Sequence, residues 1–431
     1  MTWYFALVSV EALVILVGFG VDTTPMTGGD GPDYNHLAHN LLFHGVYSTA
    51  PSPPLLENIT RAPGYPAVLV VFDFLAIHLG IGQVLMLRIC QFAMVAVIAW
   101  LVHGIGRELV GELVGRVAGV LTATYLPLLG LAWYTLTEIT TCLLVTLALL
   151  LLVRLLRRTP NSRLTVCGLG LTIAALTYVR PDFAPLLVIA AVALFLGGAG
   201  SLRSRERWIR PGIVVGIFVV ALLPWTIRNH DLTGKLVPVS ADSGASLLAS
   251  ADQYAGTISD AMTSTDFDTL LHQLTVIDKS VHAKPGAKEA VAADAAYTRA
   301  AEKIFDRLSA ARIIESIPKR ELYLWQPTVF PPNEGHKIIN VLGWAQYVML
   351  IALGLIGALE SRRRHMLLRS WPLWVVALYL SLLHLVFHIE GRYSIEARPM
   401  LIIFAAIGTV ACGRVLRPRF GSAGTRGAAP T

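Results

Sequence analysis

Apolar runs nearly free of charge alternate with short basic loops along almost the whole chain. The runs lie at roughly 3–21, 83–102, 115–131, 138–153, 164–179, 182–198, 211–227, 339–359, 372–388 and 399–416. Each is at or near the ~20 residues that a helix needs to cross a bilayer. The loops between them carry Arg107 to Arg116; Arg154, Arg157, Arg158 and Arg163; Arg203, Arg205, Arg207 and Arg210; and Arg362, Arg363, Arg364 and Arg369. Arg414, Arg417 and Arg419 follow the last run. Arginine-rich loops stay in the cytoplasm, which sets an alternation from residue 83 onward. The segments left on the other side are 132–137, the turn at Arg180-Pro181, 228–338 and 389–398. The pattern therefore predicts an all-α polytopic membrane protein with about 10–11 transmembrane helices.

One segment disturbs the count. Residues 64–82 are apolar enough to span, yet contain Asp73 and His78. If they cross, the preceding loop falls on the cytoplasmic side. If they lie in the interface or re-enter, that loop joins the other outer segments, and this is the expectation. The predicted organisation is then a transmembrane catalytic module over 1–227, with an outer loop at 22–63 and the interfacial or re-entrant segment 64–82. An extracytoplasmic cap follows over 228–338, then C-terminal transmembrane helices over 339–416 and a disordered cytoplasmic tail over 417–431. Within the cap, the Ala-rich portion around 285–312 reads as helix, and Ile313 to Trp325 as a membrane-surface helix.

Composition narrows the class. Of 431 residues, 55% are hydrophobic and 15% charged, which excludes an ordinary soluble protein. The net charge of +7 resides in the loop arginines, so it marks membrane orientation and not a nucleic-acid face. Cys90, Cys142, Cys167 and Cys412 all fall in apolar runs without paired spacing, so neither a disulfide frame nor a metal site is expected from them. The N-terminus lacks Lys, Arg and a small-residue cleavage site, so its first run reads as a retained span. The Ala/Val/Arg-rich, Lys-poor composition fits a bacterial protein, and the expected location is the cytoplasmic (inner) membrane.

Candidate chemistry collects on the outer face. Asp30 and Asp33 sit on the Gly/Pro-rich turn Gly29-Asp30-Gly31-Pro32-Asp33-Tyr34, before a helix-like run from Asn35 to Leu42. Arg61 precedes Pro63-Gly64-Tyr65-Pro66, and Glu138 opens a span after Trp133-Tyr134-Thr135. Arg180-Pro181-Asp182 forms a tight turn, Arg228-Asn229-His230 follows Pro224-Trp225, and His388, Glu390, Arg392 and Tyr393 bound another outer loop. Arginine forks bind phosphate oxygens, and a carboxylate can take a proton from an attacking hydroxyl. Plainer roles compete: Asp33 as a helix cap, Glu138 answering the helix dipole, Arg180 and Arg392 as headgroup anchors. His36, His39 and His44 lack the spacing of a metal site.

These motifs resemble a known family. Asp30-x-x-x-Tyr34 with Leu37-Ala38, Gly45-x-Tyr47-Ser48 and Arg61-Ala62-Pro63-Gly64-Tyr65-Pro66 resemble the first outer loop of the GT-C class of membrane glycosyltransferases. The nearest branch holds the protein O-mannosyltransferases and lipid A 4-amino-arabinose transferases. Thr137-Glu138, Val179-Arg180-Pro181, Leu223-Pro224-Trp225-Thr226-Ile227-Arg228-Asn229 and Gly391-Arg392-Tyr393 with Pro399 agree in order. The resemblance implies a GT-C-like bundle and an inverting transferase. Its donor would be a polyprenyl-phosphate-linked sugar and its acceptor an extracytoplasmic lipid, glycan or protein. It makes Asp30 the general base and Glu138, with Asp33, the acceptor or cation contact. Arg61, Arg180, Arg228 and Arg392 would hold donor phosphate, with Tyr34, Tyr65, His388 and Tyr393 lining the pocket. No cofactor is required, although a divalent cation remains open. Where many relatives have a second acid, this chain has Gly31; Ala62 separates Arg61 from Pro63; and the large soluble domain of some relatives is absent. The alternatives are a transporter or flippase of a lipid-linked sugar, needing no base, and a ligase using a polyprenyl-pyrophosphate-linked glycan.

Overall fold

The computed structural model describes residues 2–19, 30–157, 162–197, 205–281, 286–327, 337–364 and 370–420. Among them there are helices and no strand. The first half holds α1 (Thr2–Phe19), α2 (Gly31–His44), α3 (Gly64–Leu79), α4 (Gln83–Leu109), α5 (Glu112–Ala123), α6 (Leu126–Leu131), α7 (Glu138–Leu156), α8 (Ser162–Val179) and α9 (Leu186–Gly197). After α10 (Arg205–Thr233) come α11 (Ser243–Ala255), α12 (Ser264–Ser280), α13 (Ala287–Phe305) and α14 (Ala310–Leu324), then α15 (Lys337–Arg363), α16 (Trp371–His384) and α17 (Arg398–Phe420). Short 3-10 turns, Pro181–Phe183 and Gly391–Ala397, precede α9 and α17. The protein is an all-α polytopic membrane protein, and five of its described helices are long and apolar enough to cross a membrane. Residues 22–29 of the predicted outer loop and most of the predicted tail lie outside the described residues.

The predicted run at 115–131 is not one helix. It breaks between α5 and α6, where Pro127 in the first turn of α6 cannot donate back to the preceding turn. The freed groups are met by Gln346 of α15: its amide donates to the Thr124 carbonyl at 2.8 Å and accepts from the Leu126 N–H at 2.9 Å. The helix expected from Asn35 also begins earlier, at Gly31, because Pro32 suits a first helical turn. That puts Asp30 at the N-cap position and Asp33 in the first turn, yet the Asp30 side chain makes no capping bond.

Contacts between helix ends sort the bundle into two poles. At one, Tyr4 of α1 bonds His103 of α4 at 3.0 Å, and Arg154 of α7 lies 3.8 Å from Glu108 of α4. At the other, the start of α7 meets the turn before α17 through Glu138 and Arg392. The end of α8 meets that same turn through Arg180 and Glu396. The first residue of α3, Gly64, abuts the Tyr178–Val179 backbone at this second pole; a β-carbon there would lie 2.6 Å from the Tyr178 carbonyl carbon. Three residues after α3 ends, α4 starts, and its third turn carries Gln91, which donates to the carbonyls of Ala132 (3.2 Å) and Tyr134 (2.7 Å) ahead of α7. Both ends of α3 thus lie at the second pole. Its Tyr65, Leu69, Phe72 and Ala76 are buried at helical spacing, while Val71, Phe74, Ile77 and Leu79 are exposed.

The main core joins α1, α4, α5, α7 and α17. In lipid, helices gain little from apolar burial against each other, so close backbone approach carries the packing. Gly357 of α15 and Gly408 of α17 supply it: a β-carbon on Gly357 would overlap the Phe404 carbonyl oxygen, and one on Gly408 would overlap that of Leu353. Gly357→Leu is therefore expected to separate these two helices and lower the yield of folded protein. A size-exclusion profile in detergent checks this; a profile unchanged from the wild type would refute the close packing.

Helices α11 to α14 sit over the second pole. Gly244 opens α11 without a side chain because its N–H donates to Asp294 Oδ1 of α13 at 2.7 Å, and a β-carbon would overlap the Asp294 carbonyl. Arg320 of α14 is buried, its guanidinium donating to the carbonyls of His384 (3.1 Å) and Phe387 (3.0 Å) and stacking on Tyr254 at 4.0 Å. This one side chain ties the four-helix cap to the end of α16.

Candidate active site

Two charged clusters meet at the second pole. In the first, the Arg61 guanidinium is held by three carboxylates, two from the start of α2 and one from the start of α11: Asp30 at 2.8 Å, Asp33 at 3.1 Å and Asp242 at 3.2 Å. Tyr34 lies beside it, 5.8 Å from ring centroid to guanidinium, and packs edge-on against Tyr65. Asp30 gives only Oδ1 to Arg61, and among the described residues its Oδ2 accepts no hydrogen bond. A third of the side chain is exposed. It is thus a carboxylate paired to Arg61 through one oxygen and partly open to solvent.

The second cluster is built on Tyr393. Arg180 lies 4.9 Å and Arg392 5.3 Å from its ring centre, and its hydroxyl donates to Glu390 at 2.9 Å and contacts His388 Nε2 at 2.8 Å. Arg392 forks onto Glu390 at 2.8 and 3.0 Å and reaches Glu138 at 3.1 Å; Arg180 spans Asp182 (2.9 Å) and Glu396 (3.0 Å). Glu138 is 2% exposed and its Oε2 has no partner among the described residues, nor has Oε2 of Glu396. His388 is fixed from the cap by Ser246 of α11 at 2.7 Å.

The clusters share one field. The charges of Asp30, Arg61, Asp242 and Glu138 all act on Tyr34, and that of Asp30 on Tyr393. Burial would raise Glu390, but Arg392 with His388 outweighs it and holds this carboxyl well below its usual range. Desolvation would lower Arg61; Asp242 and Asp30 instead keep it firmly charged. Asp242 goes the other way: the protein around it raises its carboxyl to about 6, Arg61 opposing and Asp30 and Asp294 adding to the rise. A carboxyl raised above its ordinary value holds its proton more tightly folded than unfolded. Its contribution to stability is therefore lost as pH rises from about 4 to about 6. Because 44% of the side chain reaches solvent, the slope is a fraction of the ~1.4 kcal/mol per unit of a full proton. Asp242→Asn is expected to flatten it, as thermal unfolding at a series of pH values would show; an unchanged slope would count against this assignment.

Of the residues singled out in the sequence, Asp30, Asp33, Tyr34, Arg61 and Tyr65 come together on one side. Glu138, Arg180, His388, Arg392 and Tyr393 come together on the other. Arg228 does not join them. It pairs with Glu57, donates to the Asn58 carbonyl at 3.3 Å and stacks on Trp225 at 4.3 Å. Asp242 and Ser246 were not singled out, and nothing in the sequence ties residue 242 to residue 61. Asp182 and Glu390 were named beside their arginines in the sequence; Glu396 was not, although it lies four residues after Arg392. A divalent cation is a poor fit: Glu138 and Glu396 offer free buried oxygens, but among the described residues no three His, Cys, Asp or Glu side chains form a ligand set. The three aspartates surround a guanidinium instead.

No family model matches the chain, and no curated protein matches it in sequence. Solved structures do match in fold. The Archaeoglobus fulgidus oligosaccharyltransferase AglB, in complex with an inhibitory peptide and a dolichol-phosphate, superposes over 99% of this chain with a TM-score of 0.54 and 13% identity. Its complex with Zn and sulfate covers 96% at 0.52 and 14% identity. This chain spans about half the length of AglB, 53% in the first case. ArnT from Cupriavidus metallidurans is more distant, at a TM-score of 0.40 and 17% identity over 97% of this chain and 80% of its own, and adds no weight. The chain therefore shares the fold of the AglB oligosaccharyltransferase, in line with the bundle that the motifs' resemblance implies.

Proposed function

We propose that the chain is an inverting glycosyltransferase that moves a sugar from a polyprenyl-phosphate-linked donor to an acceptor on the outer side of a bacterial cytoplasmic membrane. The observation that carries this reading is Asp30, held by one oxygen with the other unengaged, across from two arginines on Tyr393. The AglB structures lend support through shared fold, one of them containing a dolichol-phosphate.

The acceptor hydroxyl gives its proton to Asp30 Oδ2 while its oxygen attacks the anomeric carbon from the face opposite the phosphate. The bond from that carbon to the phosphate oxygen breaks, the electron pair leaves with the phosphate, and the configuration inverts. Arg180 and Arg392 meet the growing charge on the leaving group. Both are already engaged by carboxylates, so donor phosphate displaces Asp182 or Glu390 on binding. Arg61 carries three carboxylates, and its role is to orient Asp30 more than to bind phosphate. Glu138 offers its free oxygen to an acceptor hydroxyl. Segment α3, with both ends at the site pole, is the interfacial wall beside which the lipid enters, with 228–338 as the cap above.

The test is turnover by purified protein supplied with phosphate-linked or pyrophosphate-linked polyprenyl sugars. Transfer from the phosphate-linked donor alone, with an inverted anomeric product, is expected. Use of the pyrophosphate donor alone would make the protein a ligase. Movement of donor across vesicles without consumption would make it a transporter.

A further inference from the structure

A cavity of about 580 Å³ lies in the cap. This is within the ~300–1,000 Å³ of small-molecule sites. One wall is a single face of α14, where Arg312, Glu315, Ser316 and Lys319 recur at helical spacing. The facing wall is the loop after α11, Gly256 to Asp260, stiffened by Asp266, which accepts from the N–H groups of Ser259 (3.0 Å) and Thr263 (2.8 Å).

Asp260 distinguishes this cavity from a surface dent. It is 8% exposed, yet its nearest cations, Lys319 at 3.6 Å and Arg320 at 3.8 Å, lie beyond hydrogen-bond length. Both ion pairs are longer than a hydrogen bond, so a ligand hydroxyl can donate to this carboxylate without displacing one. Three carboxylates against two cations in the lining disfavour a phosphate, and the polar walls disfavour a lipid chain. A ligand rich in hydroxyls meets both conditions. Moreover, the cavity floor holds the active-site loop. The Gln253 side chain bonds both the N–H and the carbonyl of Ile389 at 3.0 Å, and the Tyr254 hydroxyl donates to the Leu385 carbonyl at 2.9 Å. The segment 385–390 held this way carries His388 and Glu390.

We propose that this cavity binds a neutral oligosaccharide, as the inner sugars of an acceptor glycan whose end is presented to Asp30; the acceptor role rests on the transfer reading above, the binding does not. The experiment uses the full chain in lipid nanodiscs. It measures affinity for short neutral gluco-, manno- and arabino-oligosaccharides, a phosphorylated oligosaccharide and a basic peptide. At least one neutral oligosaccharide is expected to bind the wild type and Asp30→Asn alike, and to weaken about tenfold or more in Ser316→Trp, which fills the cavity, and in Asp260→Asn. Where transfer is measurable, Ser316→Trp raises the acceptor KM with little change in kcat. Because Asp260→Asn disturbs a buried group, Ser316→Trp decides if that variant fails to fold. Unchanged binding in Ser316→Trp, binding of the peptide or the phosphorylated sugar alone, or no binding at all would overturn the proposal. Intact glycan binding without any donor turnover would sink the transfer reading and leave the binding site standing.

Discussion

Asp30→Asn is expected to lower sugar transfer by about 10²–10⁴-fold, the usual contribution of a positioned general base. Asparagine keeps the shape and can still accept from Arg61, but it cannot take the acceptor's proton. Since the side chain is a third exposed and its partner Arg61 retains Asp33 and Asp242, folding should change little. Asp33→Asn is the control on the same helix turn: it also touches Arg61 and should cost only a few-fold. Single-turnover measurements with saturating donor would compare the two. Full activity in Asp30→Asn would remove this residue as base, and equal losses in both would mean that the cluster acts only by holding Arg61.

Arg392→Met is expected to damage folding as well as turnover. Its guanidinium is the partner of Glu138, which is 2% exposed, and forks onto Glu390. Removing one member of a buried ion pair leaves the other charge uncompensated, at a cost of about 3–5 kcal/mol. Adding Glu138→Gln should recover part of that loss, because a neutral amide is cheaper to bury than a lone carboxylate. Transfer should not recover, since the leaving phosphate still lacks its counter-charge. Denaturant unfolding in micelles and donor turnover, measured on the single and double variants, separate the effects. An Arg392→Met protein as stable as the wild type would mean that Glu138 does not depend on it.

What the sequence made legible follows from range. Bilayer thickness imposes run length, which is a local pattern, so the all-α plan of apolar helices could be read directly. The break between α5 and α6 could not, because Gln346, which meets its free backbone groups, comes from a helix more than two hundred residues later. Asp30 was visible as an acid on an odd loop, but its partner set was not: Asp242 joins from the cap through tertiary packing alone. Arg228 shows the same limit of range: it pairs with Glu57, far earlier in the chain, and order along the chain does not report that pairing.

The pairing of Glu138 with Arg392 bears on how the molecule is made. A growing chain delivers the acid to the membrane long before its cation has been synthesised. Until the segment carrying Arg392 is made, that carboxylate lacks this guanidinium partner, so the contact between the start of α7 and the turn before α17 forms late. Nascent or clipped products that stop short of residue 392 would keep an unbalanced charge at the second pole. The finished ion pair is in this sense a mark of completion.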